Sequence, residues 1–211
     1  MIGEEMNYLE ELSIQLNKLS AGDWVKINIH FNINGNLLNV CEQINQEANS
    51  HLNGLIKFGT KSILVPHISV FMGYINTFEK FENILQLVSD YAHSCDTFKI
   101  NPSHLYFKSF SPKTSQYLFL DFLQKDKVML AKDHFCTCLN NSTKPLEWDF
   151  KNEIPHITLG CYNPLASNNK IVDKYHEFPC CDIKEIGISI SGKKGVCLGN
   201  LKTFELNNCS R

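Results

Sequence analysis

Pro155-His156-Ile157-Thr158-Leu159-Gly160 is the stretch on which the fold turns, and Pro66-His67-Ile68-Ser69-Val70 echoes it upstream. Both read as short buried strands, a proline followed by alternating apolar and polar residues. Side chains two apart in a strand point to the same face, so His67 shares a face with Ser69, and His156 with Thr158. Ile68, Val70, Ile157 and Leu159 go the other way, into a core. Each segment thus holds an imidazole beside a hydroxyl on a rigid element. Two such pairs facing one cleft make an acid–base site with four hydrogen-bonding groups around one small anion. The plain structural alternative is two partly buried histidines satisfied by backbone carbonyls. Two matches among the eight histidines arise by chance in roughly one sequence in a hundred, which favours the site.

Outward from these strands the chain alternates between strand and helix periods. Residues 24–33 alternate cleanly: Val25, Ile27, Ile29, Phe31 and Ile33 face a core, and Lys26, Asn28, His30 and Asn32 face away from it. Asn34-Gly35-Asn36 turns the chain. A helix is predicted over 37–52, a hairpin arm over 54–61, the first histidine strand over 62–72 and a helix over 77–93. Residues 97–107 and 116–123 read as strands around the polar turn Ser111-Pro112-Lys113-Thr114. A helix follows over 125–140, the second histidine strand over 154–161, ended by Asn163-Pro164, and a shorter helix over 168–177. The tail gives strands at about 182–191 and 195–206, joined at Gly192-Lys193-Lys194-Gly195. Residues 2–19 space Ile2, Met6, Leu9, Leu12, Leu16 and Leu19 as an amphipathic helix docked on the body. Its glutamates argue against an anionic lipid surface.

The order strand, helix, histidine strand, helix runs from 24 to 93 and again from 116 to 177. His67 lies 36 residues after Phe31, and His156 lies 36 after Leu120. The repeat predicts a bilobal α+β fold with a pseudo-two-fold axis that sets the two histidine strands side by side. Two antiparallel-rich sheets with helices on their outer faces and a cleft between the lobes are expected. The expected organisation is an N-terminal helix at 1–22 and one bilobal domain at 23–211, with lobe 1 at about 24–93 and lobe 2 at about 97–206.

With 211 residues and 43% hydrophobic content, the chain can build one core or two small lobes sharing one. A net charge of -2 with no Lys/Arg block disfavours long nucleic acid held on a broad basic patch, but leaves room for a small anion or short oligonucleotide. Nine cysteines at irregular spacings fit neither a zinc template nor a compact disulfide framework, and imply a reducing compartment, the cytoplasm. The acidic N-terminus is not a signal peptide, and no run of 18 apolar residues offers a membrane span. No obligate protein partner is indicated, and a monomer is expected.

These features resemble the 2H phosphoesterase superfamily, which includes the bacterial RNA ligase-like cyclic phosphodiesterases. The resemblance covers roughly residues 24–206 and rests on the two His-apolar-Ser/Thr-apolar motifs 89 residues apart, the Pro-His start of the second, and the closing strand pair. It implies that His67, Ser69, His156 and Thr158 are the catalytic set. It also implies metal-independent action, without a cofactor, on 2′,3′-cyclic phosphates or 2′,5′-linked oligonucleotides such as oligoadenylates. Strand 24–33 lacks the arginine that some ligase-like members carry there, leaving Lys26 or His30 to replace it, and the N-terminal helix is an addition.

A phosphodiester needs a base on the nucleophile and an acid on the leaving oxygen, in line. Two imidazoles hold those opposite states near neutral pH. Ser69 and Thr158 would donate to the non-bridging oxygens. As nucleophiles they are less apt, since no Gly-x-Ser-x-Gly elbow occurs. Lys26, Asn28 and His30 line a cleft floor or form a solvated strand face. Tyr74 and Tyr162 follow the motifs at similar offsets and offer rings to stack on bases, or serve as rim or core aromatics, as do Tyr106 and Phe107. Lys193 and Lys194 read as turn charges, and the five remaining histidines as surface. No histidine or cysteine pair has zinc-ligand spacing. The other readings are an RNA end-processing or ligase-type enzyme on larger RNA, and a catalytically silent nucleotide-binding module.

Overall fold

The computed structural model describes residues 8–52, 54–58, 64–109, 115–147, 149–162, 169–192 and 196–208. Helix α1 (Tyr8–Ser20) leads into β1 (Val25–Asn32), α2 (Gly35–Leu52), β2 (His67–Ile75) and α3 (Phe78–Ser94). Then come β3 (Phe98–Ile100), β4 (Pro102–Ser109), β5 (Gln116–Phe122), α4 (Asp126–Leu139) and β6 (Ile157–Tyr162). Helix α5 (Asn169–Lys174), β7 (Cys181–Ile183), β8 (Glu185–Ile190) and β9 (Lys202–Glu205) complete the chain. The polar turn at 111–114, Asn163-Pro164, the far part of the 54–61 arm and Lys193-Lys194 lie outside the described residues, as does the start of the N-terminal helix.

Seven strands form one antiparallel sheet in the order β4-β5-β6-β2-β1-β8-β9, and β3 pairs with β7 in a second, two-stranded sheet. The fold is α+β, and the two histidine strands are neighbours at the centre. Each half contributes a matching set, β1 beside β2 and β5 beside β6, so the repeat becomes a pseudo-two-fold arrangement in which Ile68 and Ile157 are Cα partners. The segments expected as single strands over 97–107 and 182–191 are each divided between the two sheets. Pro102 carries no N–H for a continuous ladder, and the Asn101 carbonyl accepts from Leu123 instead. On the other side the Lys184 carbonyl accepts from Leu206.

Ile27, Ile29, Phe31, Ile68, Val70, Leu118, Leu120, Ile157 and Leu159 are all fully buried, in one core that runs through both halves. The helices cross over: α2 packs on β6 and α4 on β2. Helix α1 rests on β1 through Leu12, Leu16 and Leu19. The eight described cysteines are all thiols.

The polar face of β1 is not solvated. Asn28 and His30 are fully buried and Asn32 nearly so, because residues 196–200 fold back over it. Leu198 N donates to Ile190 O, Asn200 Nδ2 donates to Asn32 Oδ1, and Asn28 Nδ2 reaches Cys197 Sγ.

Each histidine strand carries a bulge at the same motif position. Ile29 pairs with Phe71 but His30 with Ser69, leaving Val70 extra; Leu118 pairs with Gly160 but Phe119 with Thr158, leaving Leu159 extra. An extra residue resets which side chains face which way. Beyond its bulge, β2 turns Met72 and Tyr74 to the face of His67, whereas Tyr162 joins Gly160 on the core face of β6.

Candidate active site

The antiparallel register around Ile68 and Ile157 sets His67 across from Thr158 and Ser69 across from His156. All four side chains line one cavity of about 410 Å³. Lys26 and Met72 line it from the first half, and Tyr117, Phe119 and Lys132 from the second. Phe150, Glu153, Ile154 and Pro155, on the segment leading into the second motif, make its remaining wall.

The two rings are held alike. His67 Nδ1 lies 2.9 Å from Val65 O, and His156 Nδ1 lies 2.9 Å from Ile154 O. Each carbonyl belongs to the residue before the motif proline. Since a carbonyl only accepts, each Nδ1 carries the hydrogen and each neutral ring keeps its lone pair on Nε2. The backbone bonds expected of purely structural histidines therefore also fix the orientation of both rings.

Their surroundings differ. His67 Nε2 is met by Asn28 Nδ2 at 3.1 Å and Cys197 Sγ at 3.2 Å. Asn28 Nδ2 also donates to Ser69 Oγ at 2.9 Å, which leaves the Ser69 hydrogen available for a ligand oxygen. The His30 ring stands 4.9 Å from that of His67. In the second half, Phe119 takes the place of His30, 89 residues on, and stacks on His156 with ring centroids 3.7 Å apart. Tyr117 stacks on Phe119 in turn at 5.8 Å. One histidine thus has a polar surround and the other an aromatic one.

Burial, opposed by the Val65 carbonyl, lowers the pKa of His67 below the ordinary histidine value. Burial, with Lys108, Lys132 and His67 adding to it against the pull of Ile154 O, lowers His156 to about 4. Burial and then His67 hold His30 well below the usual range, against Asn32. Burial drives the Cys197 thiol up to about 12, so it is a neutral S–H group. A histidine whose pKa is depressed on folding binds fewer protons than the unfolded chain does. Stability is therefore fully present above about pH 6.5 and falls with acidity toward pH 4, each group contributing up to about 1.4 kcal/mol per pH unit. Urea midpoints should drop between pH 7 and pH 5, and His156→Gln should flatten that slope.

Lys132 is 1% exposed yet lies on the cavity. Its ammonium donates to Phe150 O at 2.9 Å and to Glu153 O, and sits 4.4 Å from the Phe150 ring centroid. It straps down the wall that leads into Pro155-His156. In sequence it occupies a position of the apolar stripe Val128, Lys132, Phe135, Leu139 of α4, a signal that reading for core alone passes over.

The cavity brings together His67, Ser69, His156, Thr158 and Lys26. Asn28 supports it from beneath, and His30 stands beside His67 without lining it. Tyr74 shares the site face but lies beyond the cavity, where its N–H donates to Lys144 O. Tyr162 is fully buried. The similar offsets of the two tyrosines differ by one residue, which sends them to opposite faces. Tyr106 and Phe107 on β4 lie outside the cavity lining, and His51, His93, His104, His134 and His176 are exposed. Among the described residues no cluster of three or more His, Cys, Asp or Glu could hold a metal ion, and no helix is long and apolar enough to cross a membrane.

No protein-family model matches the chain, and no curated protein matches it in sequence. Solved structures do. A crystal structure of a phosphoesterase aligns with TM-score 0.55 at 14% identity, covering 87% of this chain and 99% of its own. The chain shares the fold of this phosphoesterase. A Thermus thermophilus protein aligns with TM-score 0.55 at 15% identity, over 87% of this chain and 98% of its own. E. coli LigT complexed with 3′-AMP aligns with TM-score 0.53 at 14% identity, over 88% and 99%.

Proposed function

We propose that the protein is a metal-independent phosphodiesterase that cleaves 2′,3′-cyclic phosphates or 2′,5′-linked oligonucleotides by two-histidine acid–base catalysis. The observation that carries this reading is the pair of imidazoles on adjacent strands, each fixed through Nδ1 by a backbone carbonyl and each flanked by a hydroxyl of the other strand. The LigT complexes with 3′-AMP and with phosphate support it, since they put nucleotide and phosphate on this fold.

On a cyclic phosphate, one Nε2 takes a proton from water as its oxygen bonds to phosphorus. The P–O bond to one ribose oxygen breaks, and the other imidazolium protonates that oxygen. A phosphomonoester and a free hydroxyl result. On a 2′,5′ linkage the neighbouring 3′-hydroxyl replaces water, giving a cyclic phosphate and a 5′-hydroxyl end. Ser69 and Thr158 donate to the non-bridging oxygens, where charge grows. Lys26 and Lys132 bring positive charge to a wall otherwise largely apolar, in which a phosphate charge is felt strongly.

The test is turnover in EDTA of 2′,3′-cyclic mononucleotides, a 2′,5′-linked oligoadenylate, its 3′,5′ counterpart and a cyclic dinucleotide. Chelator-resistant cleavage of the cyclic phosphate or the 2′,5′ linkage, with the 3′,5′ chain untouched, is expected. Binding without turnover of any of them would replace this reading with a nucleotide-binding module, and cleavage or joining confined to larger RNA with an end-processing enzyme.

A further inference from the structure

The Asn28 amide is unevenly used. Its Nδ2 has three neighbours for two N–H bonds: Ser69 Oγ at 2.9 Å, His67 Nε2 at 3.1 Å and Cys197 Sγ at 3.1 Å. Its Oδ1 is buried with no partner among the described residues. All three neighbours of Nδ2 can also donate: the serine O–H, the thiol S–H, and Nε2–H once His67 is charged. An amide turned end for end would therefore place its oxygen among three donors. Either orientation strands one amide atom, so the choice between them falls to the proton on His67.

We propose that the Asn28 side chain turns over with that proton, offering N–H to the neutral imidazole and its carbonyl oxygen to the imidazolium, and so acts as a positioning residue for the acid–base cycle of His67. In both states Nδ1–H stays on Val65 O, so only the Nε2 side changes. A neutral Nε2 is a lone pair and needs a donor; a protonated Nε2 needs an acceptor. A bond to a charged donor is about twice as strong as a neutral one, so the turned amide lightens the cost of charging a buried ring. When a substrate oxygen takes the Nε2 hydrogen, the same carbonyl accepts from the Cys197 thiol, which leaves the Ser69 hydrogen to the phosphate, and does not compete. The proposal rests on the reading of His67 as an acid–base group, but its test involves no turnover.

Several groups face His67. His30 and Lys26 come from β1, and Cys197 from the segment after β8. His156 just before β6, Lys132 on α4 and Glu153 on the segment before Pro155 line the same cavity. Cys197 bonds the Asn28 amide itself and changes with it; the others do not touch Asn28 Nδ2, so comparing variants isolates the amide and its thiol neighbour.

The experiment is a nitrogen-15 histidine NMR titration of the full chain without ligand. It compares wild type, Asn28→Leu and Asn28→Asp, with His67→Gln for assignment and His156 as the internal reference. Leucine should lower the His67 midpoint by roughly one pH unit, tenfold in proton affinity, and aspartate should raise it at least as far, while His156 moves less. In wild type the Asn28 N–H resonances should shift with the His67 midpoint. A raised midpoint in Asn28→Leu would mean that the amide only donates to the neutral ring, and an unchanged one that it is indifferent to the proton; each overturns the proposal. Should the leucine variant misfold, the wild-type amide decides: resonances that stay still while His67 titrates overturn it equally.

Discussion

His67→Ala and His156→Ala should each lower kcat on the preferred substrate by about 10³-fold, the usual worth of a positioned acid or base. The double variant should lose little more, because in the proposed mechanism the two rings serve one in-line displacement and act as a unit. Steady-state kinetics in EDTA, with circular dichroism to confirm folding, measures this. Turnover that survives either substitution would remove the two-imidazole reading. The pH profile carries the same signature. Burial lowers both rings below the ordinary histidine value, His156 to about 4. Above those values both are neutral and the acid is missing. In the free enzyme kcat/KM should peak on the acid side of pH 6.5 and then fall with rising pH, approaching tenfold per unit. A plateau through pH 8 would mean that the acid is some other group.

Gly160→Val should cost about 3 kcal/mol of stability, at the upper end for an overpacked core. A Cβ at Gly160 would lie 2.1 Å from Tyr162 Oη and 2.5 Å from its Cζ, and one at Gly54 would lie 2.5 Å from Tyr162 Cε1. The Tyr162 ring lies across both glycines inside the core, so it cannot swing clear. Its hydroxyl is buried without a partner among the described residues. Tyr162→Phe removes that cost and should be neutral or slightly stabilising. Urea unfolding of the two variants tests both halves; a valine tolerated at Gly160 would show that the ring has room to move.

Much of this was legible in the sequence because it depends on period. The alternation of Val25 to Ile33, the helical spacing of 37–52 and 77–93, and the 36-residue interval from Phe31 to His67 and from Leu120 to His156 gave elements, order and the adjacency of the histidine strands. The 89-residue separation of the two motifs also leads from His30 to Phe119, so the aromatic partner of His156 was within reach of the pattern. What period does not encode is where the chain folds back. Nothing local to Cys197 says that it will cap His67, and burial of the Asn28 face follows only from residues 196–200 lying over it. The bulges at Val70 and Leu159 were equally invisible. They arise from pairing between strands; the one-residue difference in offset parts Tyr74 from Tyr162, and the bulges decide which of the two faces the site. Lys132 stands in plain view on the α4 stripe, but its partners are backbone carbonyls, which leave no trace in side-chain pattern.

The exchange of helices between the halves makes the molecule a candidate for fragment complementation. Since α2 needs β6 and α4 needs β2, neither half can shelter its own apolar helix face. Expressed as two pieces divided near the exposed Asp96, the fragments would be inert singly, each holding one imidazole of the pair. Fused to two proteins that meet, they would restore the proposed cleavage only on meeting. Such a pair would serve as a split reporter whose signal requires both motifs to be rejoined.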